Sequence, residues 1–126
     1  MAETKTIGVV GLSRRKSRAG YYVPAYLQQQ GYRIIPINPY LETALDETAY
    51  PNLLEVPDPI DLVLIFRLSK KVPPVVDEAI QVGAKAVWMQ LGIINEAAAK
   101  TAQEARLDVI MDACLMVEHR RWQSSQ

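Results

Sequence analysis

Five short apolar runs recur along the 126-residue chain, and this recurrence constrains the fold more than any other feature. They are Thr6-Ile7-Gly8-Val9-Val10, Arg33-Ile34-Ile35-Pro36-Ile37, Asp61 to Phe66, Lys85-Ala86-Val87-Trp88-Met89 and Leu107 to Met111. Each is strand-length, and the unbroken run Leu62 to Phe66 predicts burial on both faces, as in a parallel sheet. Helix-patterned segments lie between most of them. Tyr22, Val23, Tyr26, Leu27 and Gln30 fall at helical spacing. Pro24 is expected in the first turn of that helix and Gly31 just past its end. Lys70 to Val82 reads as a helix with Pro73 and Pro74 in its first turn and Gly83 at its close. Asn95 suits the N-cap of an alanine-rich helix running to about Arg106. Ala113 to Arg121 reads as a last short helix, with Gln123 to Gln126 frayed. Residues 39–59, with Pro39, Pro51, Pro57 and Pro59, read as a long connection holding one helical turn around Asn52 to Glu55. Pro36 belongs near the end of a strand or at an irregularity.

Parallel strands require crossovers, and crossovers are right-handed. The expected fold is therefore α/β: one Rossmann-like, doubly wound domain over residues 1–126, with its core at about 6–120. It has about five largely parallel strands and helices on both faces.

Several function classes fall away. With one cysteine, Cys114, and one histidine, His119, neither a disulfide framework nor a protein-built zinc site is expected. No apolar run approaches the roughly 20 residues of a membrane span, and Met1 to Lys5 carries no signal core, so a cytoplasmic location is expected. The formal net charge is +0, which argues against bulk nucleic-acid binding. The charge is uneven, however. Residues 1–33 hold six Lys or Arg against one Glu, and four of the six are Arg14, Arg15, Lys16 and Arg18.

In an open α/β sheet the ligand crevice lies outside the carboxyl ends of the strands. That rule selects five loops: Gly11 to Arg18, Asn38 to Tyr40, Phe66 to Ser69, Met89 to Ile93, and Asp112 to Cys114. Gly11 allows a tight turn and close approach of a ligand, and the helix that follows aims its amides at an anion. The G-x-G-x-x-G dinucleotide fingerprint is absent. Asn38 stands where NAD binders place an acid at the end of the second strand. The basic run suits a ligand with several phosphates, such as coenzyme A or NADP.

Val9 to Ser13, Tyr32 to Pro39, Ala86 to Ile93, and Met111 to Cys114 continuing to Glu118-His119 together resemble the small stand-alone CoA-binding proteins. These are similar to the CoA-binding domain of the succinyl-CoA synthetase alpha subunit. The likeness runs from about Ile7 to His119 and is most specific at Trp88-Met89-Gln90-Leu91-Gly92. It implies a Rossmann-like fold that binds coenzyme A or an acyl-CoA at the strand carboxyl ends. Carried over by position, Gly11, Leu12 and Ser13 line the phosphates, with Arg14 to Arg18, including Arg15 and Lys16, nearby. Asn38 and Pro39 flank the adenosine, Phe66 and Arg67 form the adjoining wall, and Met89, Gln90 and Leu91 follow the pantetheine arm. Ala19-Gly20 stands where relatives often have a serine. The synthetase's second domain, which bears a phosphorylated histidine, has no counterpart in this chain, so its reaction is not carried over.

Other residues read more plainly. Cys114 is expected as a small buried hydrophobe and not as a nucleophile, and it forms no helical dyad with His119. Trp88 reads as packing mass. Tyr21, Tyr22 and Tyr26 read as the half-buried face of the first helix, Asp112 as a cap, and Glu118 with Arg120 or Arg121 as surface pairing. Gln90, an amide between apolar neighbours, is expected to meet a ligand. The resulting expectation is a non-catalytic, regulatory binder of a small CoA ligand, with no nucleic-acid or membrane partner and no metal. The protein partner is left open. The alternative is an enzyme: a small NADP-linked oxidoreductase, or a CoA-dependent transferase subunit that needs a partner.

Overall fold

A computed structural model describes residues 3–126. The strands are β1 (Thr6–Val10), β2 (Arg33–Ile37), β3 (Thr43–Ala44), β4 (Glu47–Thr48), β5 (Leu62–Ile65), β6 (Ala86–Met89) and β7 (Asp108–Ile110). The helices are α1 (Ala19–Gln29), α2 (Val72–Gln81), α3 (Glu96–Glu104) and α4 (Leu115–Ser124). Short 3-10 turns occupy Leu53–Glu55 and Ser69–Lys71. The five long strands form one all-parallel sheet in the order β2-β1-β5-β6-β7. This is the expected Rossmann-like, doubly wound α/β fold.

The apolar runs bury both faces because successive side chains alternate. Ile7, Val9, Leu62, Leu64 and Trp88 pack on one face with Val23 and Leu27 of α1 and Leu115 of α4. Val10, Val63, Ile65, Val87 and Met89 pack on the other with Val76 and Ala79 of α2 and Ala98 and Ala102 of α3. Trp88 is core, as expected, and its indole N–H donates to the Ala113 carbonyl at 2.8 Å. Asn95 caps α3 by accepting from the Ala98 amide at 2.9 Å. Asp61 ties the amino end of the sheet, accepting from the Lys5 and Thr6 amides at 2.9 and 3.0 Å. The Thr6 amide in particular, then those of Lys5 and the Lys85 ammonium, hold its carboxyl below the usual range.

The structure departs from expectation at several points. Pro24 does not open α1, which starts five residues earlier at Ala19; Pro24 lies buried in its second turn. Proline has no N–H to give the carbonyl four residues back. That carbonyl, on Gly20, instead accepts the Ser13 amide at 3.0 Å. Pro36 is tolerated because β2 is an edge of the main sheet. The long connection contains the hairpin β3–β4, whose turn puts Leu45 and Asp46 at φ 52° and 61°. Tyr50 then runs along β2, and its amide donates to the Pro36 carbonyl at 3.0 Å. The tail does not fray at Gln123, since α4 continues to Ser124. Tyr22 is exposed and not half-buried. Asp112 does not cap α4; its carboxylate accepts the Gly92 amide at 2.7 Å and links two strand-end loops.

Candidate functional site at the strand carboxyl ends

Counting only the five long strands, the order is 2-1-3-4-5, which reverses between β1 and β5. The chain leaves β1 toward β2 through α1 on one face, and β5 toward β6 through α2 on the other. The loops after β1 and β5 therefore part at this point and leave a crevice. A cavity of ≈ 460 Å³ lies there, lined by Gly11, Ser13, Arg15, Arg18, Ala19, Gly20 and Phe66.

Its floor admits only glycine at one position. Gly11 sits at φ +87°, and a Cβ there would lie 2.4 Å from the Phe66 carbonyl oxygen. Gly20 lets α1 close on the same loop, since its Cβ would stand 3.3 Å from the Gly11 carbonyl. The Ser13 hydroxyl accepts the Arg15 amide at 3.0 Å, which bends the loop back over α1. Arg18 is the N-cap residue of α1 and gives no side-chain cap. The first helical residues, Ala19 and Gly20, line the cavity at the positive end of the helix dipole.

Cations outnumber carboxylates around this end, where Asp46, Glu78 and Asp112 also lie. Among the described residues, Arg14, Arg15, Lys16, Arg18, Arg67, Lys70 and Lys71 form no ion pair, as is also true of Lys5, Lys100, Arg106 and Arg120 elsewhere. Arg14 and Lys16 line a neighbouring cavity of ≈ 310 Å³ with Tyr21 and the hairpin residues Thr43 to Asp46. Arg67, Lys70 and Lys71 line a third, of ≈ 340 Å³, with Val10, Ile37, Asn52, Pro74 and Glu78, whose carboxylate accepts the Leu53 amide. A fourth, of ≈ 450 Å³, lies between the β5 loop, Phe66 to Ser69 with Lys71, and Gly92-Ile93 after β6. Phe66 lines both the first and the fourth.

The residues expected from sequence divide accordingly. Gly11, Ser13, Arg18 and Phe66 meet in the first cavity. Arg14 and Lys16 lie beside it, and Arg67 borders two of the others. Pro39 is exposed at the end of β2 and Leu91 is exposed after β6. Four residues are used by the chain itself. The Leu12 and Met89 side chains are wholly buried, one on each face of the sheet, so only their backbones are left for a ligand. The Asn38 amide donates to the Leu12 carbonyl at 2.9 Å and accepts from the Tyr40 amide at 2.9 Å. It therefore braces the Gly11 loop against the end of β2. Gln90 is buried at 4% exposure, and its side-chain carbonyl accepts the Leu115 amide at 3.2 Å. That bond satisfies the first turn of α4, so the buried amide has a partner within the chain. Arg15, expected as one of the basic run, and Ala19-Gly20, noted as the departure from the family pattern, join Gly11, Ser13, Arg18 and Phe66 in the first cavity.

His119 stands apart from this site. It is buried between α1 and α4, with Nδ1 and the Tyr26 hydroxyl sharing a 2.9 Å hydrogen bond. Tyr32 meets its ring edge-on at 5.4 Å, and burial pushes its pKa down. Cys114 is half-buried at the N-cap of α4, five residues away in sequence and outside the four cavities.

Comparison with known proteins gives the family and the fold. A family model described as a CoA binding domain matches residues 5–120. Uncharacterized protein YneT of Bacillus subtilis is 40% identical over 119 residues, covering 94% of this chain and 88% of YneT. The ADP-forming acetate–CoA ligase II of Archaeoglobus fulgidus is 32% identical over 104 residues. That match covers 81% of this chain but only 16% of the ligase. A solved structure of a hypothetical protein from Pyrococcus horikoshii superposes with a TM-score of 0.93 at 38% identity, covering 95% of this chain and 84% of that one. In sequence and in fold, the chain belongs to the CoA-binding domain family.

Proposed function

We propose that this protein binds coenzyme A, free or acylated, across the carboxyl ends of the sheet, as a binding protein without chemistry of its own. The observation that carries this reading is the switch-point cavity. It joins a glycine-only floor, the N-terminal amides of α1, and Arg15 and Arg18 with no carboxylate partner among the described residues. Backbone amides with unpaired guanidinium groups are what a pyrophosphate requires. Arg14 and Lys16 next to it, and Arg67 with Lys70 and Lys71 beyond, supply cations for a further phosphate. Coenzyme A carries both a pyrophosphate and a ribose phosphate. In this reading Gly11 to Ser13 hold the pyrophosphate, the adenosine lies by Pro39, and the pantetheine arm passes Phe66 and Arg67 toward Leu91. Family membership supports the ligand class.

The absence of chemistry rests on where the nucleophiles and bases sit. His119 on α4 is bonded to Tyr26, and no His, Asp or Glu lines the cavity with Ser13, so no base stands beside its hydroxyl. The ligase reaction is not transferred, because this chain spans 16% of that enzyme. Calorimetric titration in reducing buffer with CoA, acetyl-CoA, NADP and ATP tests the reading. Selective micromolar binding of CoA or acetyl-CoA is expected. Preference for NADP would move the protein to the oxidoreductase class.

A further inference from the structure

Asn38 directly follows the last residue of β2 and is half-buried. Its side chain uses both halves of the amide. Nδ2 donates to the Leu12 carbonyl and Oδ1 accepts the Tyr40 amide, each at 2.9 Å. Its backbone N–H donates to the Tyr50 carbonyl at 2.8 Å, and its carbonyl accepts the Leu41 amide at 3.2 Å. Every polar group of residue 38 therefore has a partner within the chain. A brace that must donate on one side and accept on the other selects an amide. An ionised aspartate would still accept the Tyr40 amide, but it has no hydrogen for the Leu12 carbonyl. The bracing thus keeps a carboxylate out of the end of β2.

That exclusion bears on ligand choice. In dinucleotide-binding sheets a carboxylate at this place accepts a ribose hydroxyl. The same carboxylate repels a ribose that carries a phosphate. The two segments that Asn38 joins also wall one cavity: Arg14 and Lys16 follow Leu12 on one side, and Thr43 to Asp46 follow Leu41 on the other. Two cations stand there against one carboxylate, that of Asp46. We infer that Asn38 is a specificity-determining residue: by tying the two loops with a neutral amide it admits an adenosine whose ribose is phosphorylated, and so selects CoA over dephospho-CoA. The inference rests on the CoA reading above and deepens it. Asn38 is a positioning residue. It acts through the Leu12 carbonyl and the Tyr40 amide, and through the charge it leaves out of the end of β2.

The test is calorimetric titration with CoA and dephospho-CoA on the natural protein, on Asn38→Ala and on Asn38→Asp. The natural protein is expected to bind CoA at least about ten-fold tighter than dephospho-CoA, the worth of one charge-assisted hydrogen bond. Asn38→Ala removes the brace without adding charge, so both ligands should weaken together and the ratio persist. Asn38→Asp is expected to bring the ratio close to one by weakening CoA more. Should that variant not fold, Pro39→Asp, at an exposed residue, places the carboxylate one position on and is expected to lower the ratio in the same sense. A ratio unchanged in the carboxylate variant, or lost equally in Asn38→Ala, overturns the selective role and leaves CoA binding standing. Equal affinity of the natural protein for the two ligands does the same. Binding of neither removes both readings.

Discussion

Gly11 is the residue on which the site depends most. Its positive φ costs an L-residue about 1–2 kcal/mol, and the Phe66 carbonyl lies where a methyl group would go. Gly83 has a similar φ, +78°, but nothing within 4 Å of its Cβ position. Gly83→Ala is therefore expected to show the backbone cost alone. Gly11→Ala adds a collision with backbone and should lose at least about 3 kcal/mol. Paired urea titrations measure the contrast; equal midpoints for the two variants would refute the close approach at Gly11. His119 gives a second prediction at this scale. Burial lowers its folded pKa below the usual value near 6.5. Below that value the unfolded chain takes up the proton first, so stability falls as pH drops toward the folded pKa, by up to about 1.4 kcal/mol per pH unit. Urea titrations between pH 7.5 and 5.5 should show this slope, and His119→Phe should flatten it. A slope unchanged in the variant would place the titrating group elsewhere. Sequence alone could not see that Leu12, Met89, Asn38 and Gln90 are used by the core and by loop bracing. Their roles depend on which way a side chain points at a strand end, and a run of apolar letters does not record that.

At the scale of elements, the strands and most helices were legible because their signals are local and agree with one another. Asn95 caps α3 as a helix N-cap should, and Gly31 and Gly83 stand just past the ends of α1 and α2 in positive-φ conformations. The hairpin β3–β4 was not legible. Its turn uses Leu45 and Asp46 at positive φ, without the glycine or asparagine that ordinarily announces such a turn. The start of α1 was misplaced for a related reason: proline is expected at a helix start, and here tertiary structure places it in the second turn. Pro24 has a consequence for the site. By withholding an N–H from the Gly20 carbonyl it leaves that oxygen for the Ser13 amide, joining the loop after β1 to the helix. In Pro24→Ala the helix competes for the same oxygen. Exchange of the Ser13 amide with deuterium is expected to accelerate about five-fold or more, the equivalent of one net hydrogen bond. Unchanged protection would show that Ser13 is held by something else.

For the whole molecule, the decisive property is where topology gathers charge. The chain is neutral overall, yet seven cations without ion-pair partners among the described residues lie in the loops after β1 and β5. Strand order makes those loops diverge, helix α1 starts between them, and a further cavity with Arg67 and Lys71 in its walls continues past Phe66. The location of the candidate site was legible because the crevice rule needs only the strand sequence. Which residues share each cavity was not, because that depends on which loops touch. No helix among the described residues is long and apolar enough to cross a membrane. The most direct test of the central claim is an amide chemical-shift map of the ¹⁵N-labelled protein as CoA is added. The predicted result is a contiguous set of shifts at Gly11, Ser13, Ala19, Gly20 and Arg67, with His119 and Trp122 on α4 unmoved. Saturable shifts centred on α4 or β7, with the Gly11 loop silent, would contradict it.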